Sequence, residues 1–464
     1  MNASIPNAAL QSAHAERAAN DIAAHLHPFT NLAAHPQVDP LVIERGDGIY
    51  VQDDQGRRYL EAMSGLWCVS LGFSNARLAK AGSEALHTLP CYHTFNHRSN
   101  AAAIALAEKL IAMAPVPMSK VFFANSGSEA NDTAVKLVWY YHNAIGKPAK
   151  KKIIARRNAY HGVTVAAASL SGLVPNHRDF DLPIDRILHV DCPHHYRYAE
   201  PGETEEAFAT RLAGALEQRI LAEGPDTVGA FIAEPVMGAG GVLVPPATYF
   251  EKVQAVLRKY EVLLIADEVI CGFCRTGEMF GSTTFGLRPD ILTAAKALSS
   301  GYVPISAVMV SEQVHAAVAA NSGKIGTFGH GFTYSGHPVT AAVALETLRI
   351  YEEEKVLAHV QSLAPQFQAG LRRYAGHPHV GEVRGVGLIG AIELAADPAT
   401  RTPFDPAMKA GARLAELALQ EGLIVRAMGD AVAFCPPLII TPAQIDEMLE
   451  RFDRAMAHFE ASLA

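Results

Sequence analysis

The stretch from Gly229 to Glu268 constrains the fold more than any other part of the chain. It opens on a short apolar run, "GAFIAEP". "TYFEKVQAVLRKY" follows, with Phe250, Val253, Val256, Leu257 and Tyr260 recurring at helical spacing. Thr248 and Glu251 form a capping-box pattern at its start. The next run, "EVLLIADE", is apolar without interruption from Val262 to Ala266. A strand with one wet face alternates; a strand that does not alternate is covered on both faces. Strand, helix and strand in this rhythm predict right-handed crossovers and a parallel sheet layered by helices. "KVFFAN" (Lys120 to Asn125) and "KKIIAR" (Lys151 to Arg156) read as further strands. Between them lies a helix with Ala134, Leu137, Val138 and Tyr141 on one face.

The texture changes near residue 346. "LETLRIYEEEKVLAHVQSLAPQFQAGLRRY" reads as one long helix, "VGEVRGVGLIGAIEL" as short strands, and Pro406 to Glu421 as another helix. At the other end, "GIYVQDDQGRRYLE" reads as a hairpin turning at Asp54-Gln55-Gly56. The first 35 residues or so are expected to be mobile or to clasp a partner subunit. The expected division is 1–60 as an N-terminal segment contributing to a small domain and dimer contacts, 61–345 as a large domain, and 346–464 as a C-terminal α+β domain.

Composition narrows the function. With 464 residues, 49% of them hydrophobic, the chain can bury a large core. Its formal charge of −8 and lack of a basic stripe argue against nucleic acid as a partner. The one dense basic run, Lys150 to Lys152 with Arg156 and Arg157, reads as a solvated loop end, an anionic site being the alternative. No apolar run is long enough for a membrane span. The N-terminus lacks the basic and apolar regions of a secretory signal. Six cysteines are too sparse for a disulfide framework, so a cytoplasmic location is expected.

Four stretches carry chemistry. "NSGSEAND" (Asn125 to Asp132) joins a strand to a helix, where free backbone N–H groups and hydroxyls suit an anion; a plain N-cap by Ser126 or Ser128 is the other reading. In "NAYHG", Tyr160 is either packed in a turn or stacked on a planar ligand. In "LLIADEVICGFCRTG", Asp267 ends an apolar strand, the edge at which open α/β sheets bind ligands. Cys271 and Cys274 there form a C-x-x-C, but no second pair with zinc spacing exists and the flanks are unlike a thioredoxin site. "CPHHY" (Cys192 to Tyr196) reads as a surface loop, so no metal is expected. Fourth, Lys296 lies among small residues in "TAAKALSSG". A lysine usually snorkels, but an apolar setting lowers its pKa and makes the neutral amine a nucleophile. Phosphate cradle, aromatic stacker, strand-end carboxylate and neutralisable lysine are together what pyridoxal phosphate requires.

From roughly Pro28 to Pro437 the chain resembles the class III (subgroup II, or ω-) aminotransferases of the fold-type-I pyridoxal-phosphate family. "FFANSGSEAND", "AYHG", "AEPVMGAGGV", "ADEVICGFCRTG", "AAKALSSGYVPISAV" and "GFTYSGHP" match the family's motifs in order. The resemblance implies an α/β fold, with a large domain around a mostly parallel seven-stranded sheet and a small α+β domain. It implies that Ser126, Gly127 and Ser128 bind the cofactor phosphate, that Tyr160 stacks on the ring with Val269 on the other face, and that Asp267 pairs with the ring nitrogen. Lys296 would be the Schiff-base residue, with His161, Glu234 and Phe332 also at the cofactor. Thr333 would reach the phosphate of a neighbouring subunit, so a homodimer with shared sites, or a tetramer, is implied.

Departures within the family point to a branch. Relatives using ornithine or 4-aminobutyrate with 2-oxoglutarate carry a glutamate and an arginine where this chain has Ala239 and Ala433. Arg426, Trp67 and Phe29 instead resemble the amine:pyruvate and β-alanine:pyruvate branch, with Arg426 gripping a substrate carboxylate. Phe95 would join Trp67 and Phe29 as pocket wall, an ordinary core residue being the alternative for each and an equal one for Phe95. Cys274 stands where the family commonly has Gly, and Met237 where it commonly has Gln. The expected reaction moves an amino group from a primary amine or ω-amino acid to pyruvate. The rivals are a 2-oxoglutarate-using diamine transaminase, a decarboxylating transaminase, an aminomutase or a racemase. A Rossmann oxidoreductase is excluded by the lack of G-x-G-x-x-G after an early strand. A regulator built on this fold would need a helix-turn-helix segment, and none is visible.

Overall fold

The computed structural model describes residues 7–463. Its centre is a seven-stranded sheet: β1 (Lys120–Ala124), β2 (Lys152–Arg156), β3 (Ile187–Val190), β4 (Val228–Ala233), β5 (Leu263–Asp267), β6 (Ile291–Ala294) and β7 (Ser306–Val310). The spatial order is β1-β7-β6-β5-β4-β2-β3. Only β7 runs antiparallel to its neighbours, β1 and β6; the other pairings are parallel. Every residue of β4, β5, β6 and β7 is buried, which is why these stretches are continuously apolar. Helix α1 (Gly127–Ala144) buries Ala130, Ala134, Val135, Leu137, Val138 and Tyr141 in the core on one face of the sheet.

Strands from both chain ends share a second sheet. Ile43–Asp47, Tyr50–Asp53 and Arg58–Glu61 form a meander, and Leu423 pairs in parallel with Leu60. A third sheet joins Val380–Val386, Ile389–Leu394, Ala431–Phe434 and Arg426–Met428, all antiparallel. The helix Pro442–Ala461 lies beyond it, opened by a true capping box of Thr441 and Gln444.

Several expectations need correction. Thr248 makes no capping box. A turn in which Tyr249 N donates to Pro246 O has Thr248 at φ +65°, and its hydroxyl makes no bond to the helix amides. The long C-terminal helix is two helices, Pro338–Glu353 and Val356–Arg372, broken where Lys355 turns left-handed. Glu352, Glu353 and Glu354 crowd negative charge at the first helix's C-terminal end, opposing its dipole. The next helix begins at Ala410 rather than Pro406, after Lys409 also turns left-handed.

The basic run is neither a solvated loop end nor an anion site. Lys150 is buried, and its Nζ donates to the carbonyls of Tyr260 and Glu261 at 2.7 and 2.9 Å, just past the helix Tyr249–Lys259. Lys151 Nζ donates to Trp139 O and Asn143 Oδ1 near the end of α1. Lys152 Nζ meets Glu223, the last residue of the helix Glu205–Glu223. Three successive lysines thus close three helix C-termini, where cations are favoured. The N-terminal helix, Asn7–Ala24, makes polar contacts within its own chain. His14 Nδ1 bonds Asp54 Oδ1 at 2.8 Å, and Arg17 Nη1 donates to Asp54 Oδ2 at 3.1 Å, tying the helix to its own chain's hairpin. No helix among the described residues is long and apolar enough to cross a membrane.

Candidate active site

The C-terminal ends of β5 and β6 and the N-terminus of α1 meet at one cavity of about 120 Å³. Its lining includes Gly127, Ser128, Tyr160, His161, Glu234, Asp267, Val269 and Lys296. All eight were singled out in the sequence. Asp267 is the last residue of β5, opposite Thr293 of β6. Lys296 lies two residues past the end of β6, at φ +49°, a strained conformation for a side-chain-bearing residue.

The carboxylate of Asp267 is buried and fully oriented. Oδ2 accepts from Asn131 Nδ2 at 2.8 Å and pairs with His161 Nδ1 at 2.7 Å. Oδ1 accepts from Val269 N at 3.0 Å. A carboxylate offers about four lone-pair sites, so Oδ1 keeps one free for a donor in the cavity. Asn131 is itself held: its Nδ2 also donates to His161 O at 2.7 Å, and Thr293 Oγ1 donates to its Oδ1 at 3.0 Å. Neither Asn131 nor Thr293 was picked out from sequence. The available signal was a polar residue inside a run otherwise fully buried: Thr293 interrupts "ILTAA", and Asn131 lies on the α1 face that meets the sheet.

The anion end is built on backbone. Ser126 caps α1, accepting from Glu129 N, and Glu129 Oε2 accepts from Asn125 N at 2.7 Å. The N-cap reading of Ser126 is therefore correct, and its side chain is not among the cavity lining. Ser128 Oγ accepts from Val163 N at 3.1 Å. Gly162 sits at φ +128°, and a Cβ there would collide with Ser128 Oγ. Only glycine allows this closeness.

Two more buried groups hold the walls. Glu234 accepts from Tyr160 N through Oε1 and from Gly238 N through Oε2, both at 3.0 Å. Burial pushes its carboxyl above the usual range. Arg156 is buried beneath, donating through Nη2 to Glu234 O at 2.7 Å. Burial also pushes the Lys296 ammonium below its usual range, with Asp267 pulling the other way.

Tyr160, Ile270 and Lys296 also line a larger chamber of about 510 Å³. Phe29, Trp67, Ala239, Met428 and Arg426 form other parts of its wall. Phe29 is 69% exposed and meets the Tyr160 ring edge-on at 6.4 Å between centroids. Trp67 is buried in an apolar cluster with Met63, Ile270 and Ala433. The Arg426 side chain makes no hydrogen bond or ion pair with the described residues, and burial lowers its pKa. Ala433, the place of the relatives' arginine, is the register partner of Arg426 on the adjacent strand. The two positions therefore project to one face of that sheet.

Three expected residues lie elsewhere in the protomer. Phe95 lines a separate cavity of about 580 Å³ with Thr94, Phe122, Lys136 and His330. Phe332 packs near Phe122 and His330, and Thr333 follows it on the same loop. Neither Phe95 nor Phe332 is in the lining of the chamber of its own chain. "CPHHY" is not a surface loop: His194 is buried and bonds Glu382 Oε2 at 2.8 Å. Cys274 sits at φ +72°, which explains the family's preference for glycine there. Met237 is buried with Ala159, Cys192 and Leu243.

The site fits pyridoxal phosphate by its donor set. Gly127, Ser128 and Gly162 would hold the phosphate, Asp267 Oδ1 would receive the ring N–H, and Tyr160 and Val269 would flank the ring beside Lys296. Comparison with known proteins agrees. The family model "Aminotransferase class-III" matches residues 32–456. Gamma-aminobutyrate transaminase 1, mitochondrial, of Oryza sativa subsp. indica is 52% identical over 95% of this chain and 85% of its own length. The omega transaminase of Pseudomonas jessenii, solved in complex with PMP, superposes with a TM-score of 0.94 at 58% identity, covering 95% of this chain and 97% of that one. A thermostable omega transaminase variant engineered for asymmetric synthesis of enantiopure bulky amines gives 0.95 at 58% identity, covering 97% and 100%. With family model, relatives and site geometry in agreement, this chain belongs to the class III aminotransferases, enzymes of pyridoxal-phosphate fold type I.

Proposed function

We propose that the enzyme takes an amino group from a primary amine or an ω-amino acid and delivers it to pyruvate, forming alanine and an aldehyde or ketone. The observation that carries this is Arg426: the one arginine lining the chamber, with no partner among the described residues. Lys296 is the only other basic side chain in that lining. A single free guanidinium suits one carboxylate, held bidentately. Pyruvate has one carboxylate; 2-oxoglutarate has a second that the chamber leaves unpaired. Ala239 and Ala433 add no charge. The rice relative's name adds 4-aminobutyrate to β-alanine as a candidate donor.

Pyridoxal phosphate, when bound, supplies an electron sink for the carbanion left by loss of the donor's C–H proton. The chain's own residues do the rest. Lys296 Nζ, kept from permanent charge by burial, takes that proton and returns it. Asp267 Oδ1 holds the ring proton, while Asn131, His161 and Val269 hold Asp267. Glu234 fixes the backbone of Tyr160, which fixes the ring plane. Arg426 binds a carboxylate in one half of the cycle and leaves room for an apolar amine in the other. Trp67 and Phe29 give the chamber apolar wall.

Phe95, Phe332 and Thr333 stand apart from their own chamber, and a homodimer that delivers them to a partner's site is part of the proposal. So are a cytoplasmic location and a small domain formed by residues 1–60 and 346–464. The test is an acceptor panel at fixed donor. Pyruvate should exceed 2-oxoglutarate in kcat/KM by at least tenfold with both β-alanine and 1-phenylethylamine. The reverse order overturns the acceptor assignment.

A further inference from the structure

Three imidazoles and one carboxylate converge on the N-terminal segment, outside the catalytic cavity. Asp21 lies in the last turn of the helix Asn7–Ala24. His25 Nδ1 is 3.1 Å from its Oδ1, and His27 Nε2 is 2.7 Å from its Oδ2. His35 Nε2 is 3.4 Å from Oδ2 but makes no hydrogen bond to it, and this buried nitrogen has no other hydrogen-bond partner. The rings lie against one another, His25 to His27 at 4.2 Å and His27 to His35 at 4.3 Å between centroids. No lysine or arginine among the described residues pairs with Asp21.

Histidine stabilised by ion pairing looks different in this chain. His14 has a carboxylate for each ring nitrogen, Asp54 and Asp39. Around Asp21 the ratio is inverted, with three rings sharing one carboxylate. Protonating all three would set like charges in contact; left neutral, His25 and His27 each donate one ring N–H to Asp21, and the buried His35 nitrogen is left without a hydrogen bond. A cation with nitrogen preference would take up the unpartnered His35 nitrogen together with the rings already drawn to Asp21. The other histidine–carboxylate cluster, His194 with Glu382 and Glu393, has no such vacancy of charge. Arg384 Nη1 bridges both of its carboxylates and Arg197 Nε donates to Glu393.

We propose that Asp21, His25, His27 and His35 bind a borderline divalent d-block cation, of which Zn²⁺ is the probe. One carboxylate oxygen and three imidazole nitrogens make up a four-coordinate set. The ligand atoms of Asp21, His25 and His27 already lie within 4.8 Å of one another. Tetrahedral bonds of about 2.0–2.1 Å would bring such atoms to roughly 3.3 Å apart, and His35, whose Nε2 is 3.4 Å from Asp21 Oδ2, would have to close in with them. The four residues bracket Phe29, which lines the substrate chamber. A bound cation ties the helix end to His35 and so fixes the loop that carries Phe29.

The test uses tag-free holoenzyme, stripped with a chelator, and titrated with Zn²⁺ by calorimetry and with Co²⁺ by visible absorption. The expected result is one Zn²⁺ per protomer with Kd at or below micromolar, and the intense d–d bands of tetrahedral Co²⁺. His27→Gln with His35→Gln should weaken Zn²⁺ binding at least 100-fold while leaving the thermal unfolding of the metal-free protein unchanged. His194→Gln should leave binding unchanged. Stoichiometry below 0.2 per protomer, or equal binding by the double variant, overturns the proposal. Octahedral Co²⁺ spectra with millimolar affinity overturn it as well.

Discussion

Replacing Arg426 by alanine separates two kinds of substrate. In the wild type the guanidinium is partly buried, borders the chamber and has no protein partner. Its hydrogen-bonding capacity is therefore free for ligand. A bidentate grip supplies two charge-assisted hydrogen bonds, each worth about 1.5–3 kcal/mol. The two are not independent, so about 2–4 kcal/mol is the expected loss. At 1.36 kcal/mol per decade, that is roughly 30- to 900-fold in kcat/KM. The loss should fall on pyruvate, β-alanine and 4-aminobutyrate alike. The amine half-reaction with 1-phenylethylamine, which has no carboxylate, should change less than about threefold. The assay is stopped-flow absorbance of each half-reaction on holoenzyme, with donor or acceptor varied alone. Because an unpaired buried cation is removed, the thermal midpoint of the variant should hold or rise. Equal losses for pyruvate and 1-phenylethylamine would refute the reasoning, since they would make Arg426 a general wall and not a carboxylate ligand.

Other outcomes follow from single contacts. Asn131→Ala removes one hydrogen bond to the Asp267 carboxylate, worth about 1.5–3 kcal/mol; pyridoxal phosphate dissociation, followed by fluorescence, should weaken roughly 10- to 150-fold, and unchanged retention would show Asp267 to be held without it. Lys296→Ala should abolish turnover and stop borohydride from fixing the cofactor to the protein, whereas substantial turnover would remove Lys296 from the proton-transfer role. Burial lowers the His142 pKa to about 4, and its Nε2 bonds Gly229 O. Since the unfolded chain takes up that proton near 6.5, the stabilisation is complete above pH 6.5. It falls as pH drops toward 4, by about 3 kcal/mol in all. His142→Gln should flatten urea-unfolding stability across that window, and an unchanged pH slope would contradict the assignment.

What could be read from sequence was set by how local the cause is. β4 and β5 were legible because double-sided burial removes alternation, and Asp267 and Lys296 because polar ends on apolar runs stand out. Thr248 misled because a turn fixed by Pro246 decides its φ before any cap can form. The lysine run misled for a different reason: Lys150, Lys151 and Lys152 each close a helix whose end is distant in sequence or hidden by folding. Asn131 and Thr293 were missed because their role is to hold one another and Asp267, a relation across three elements. Phe95 and Phe332 show the limit of motif order, which assigns a residue to a site without showing that the fold of its own chain brings it there.

The most direct test of the proposed reaction follows the amino nitrogen itself. Holoenzyme supplied with ¹⁵N-labelled β-alanine and unlabelled pyruvate should yield ¹⁵N-alanine in a one-to-one ratio with the aldehyde product. Aldehyde formed without labelled alanine, or label retained in a rearranged or racemised donor, would contradict it.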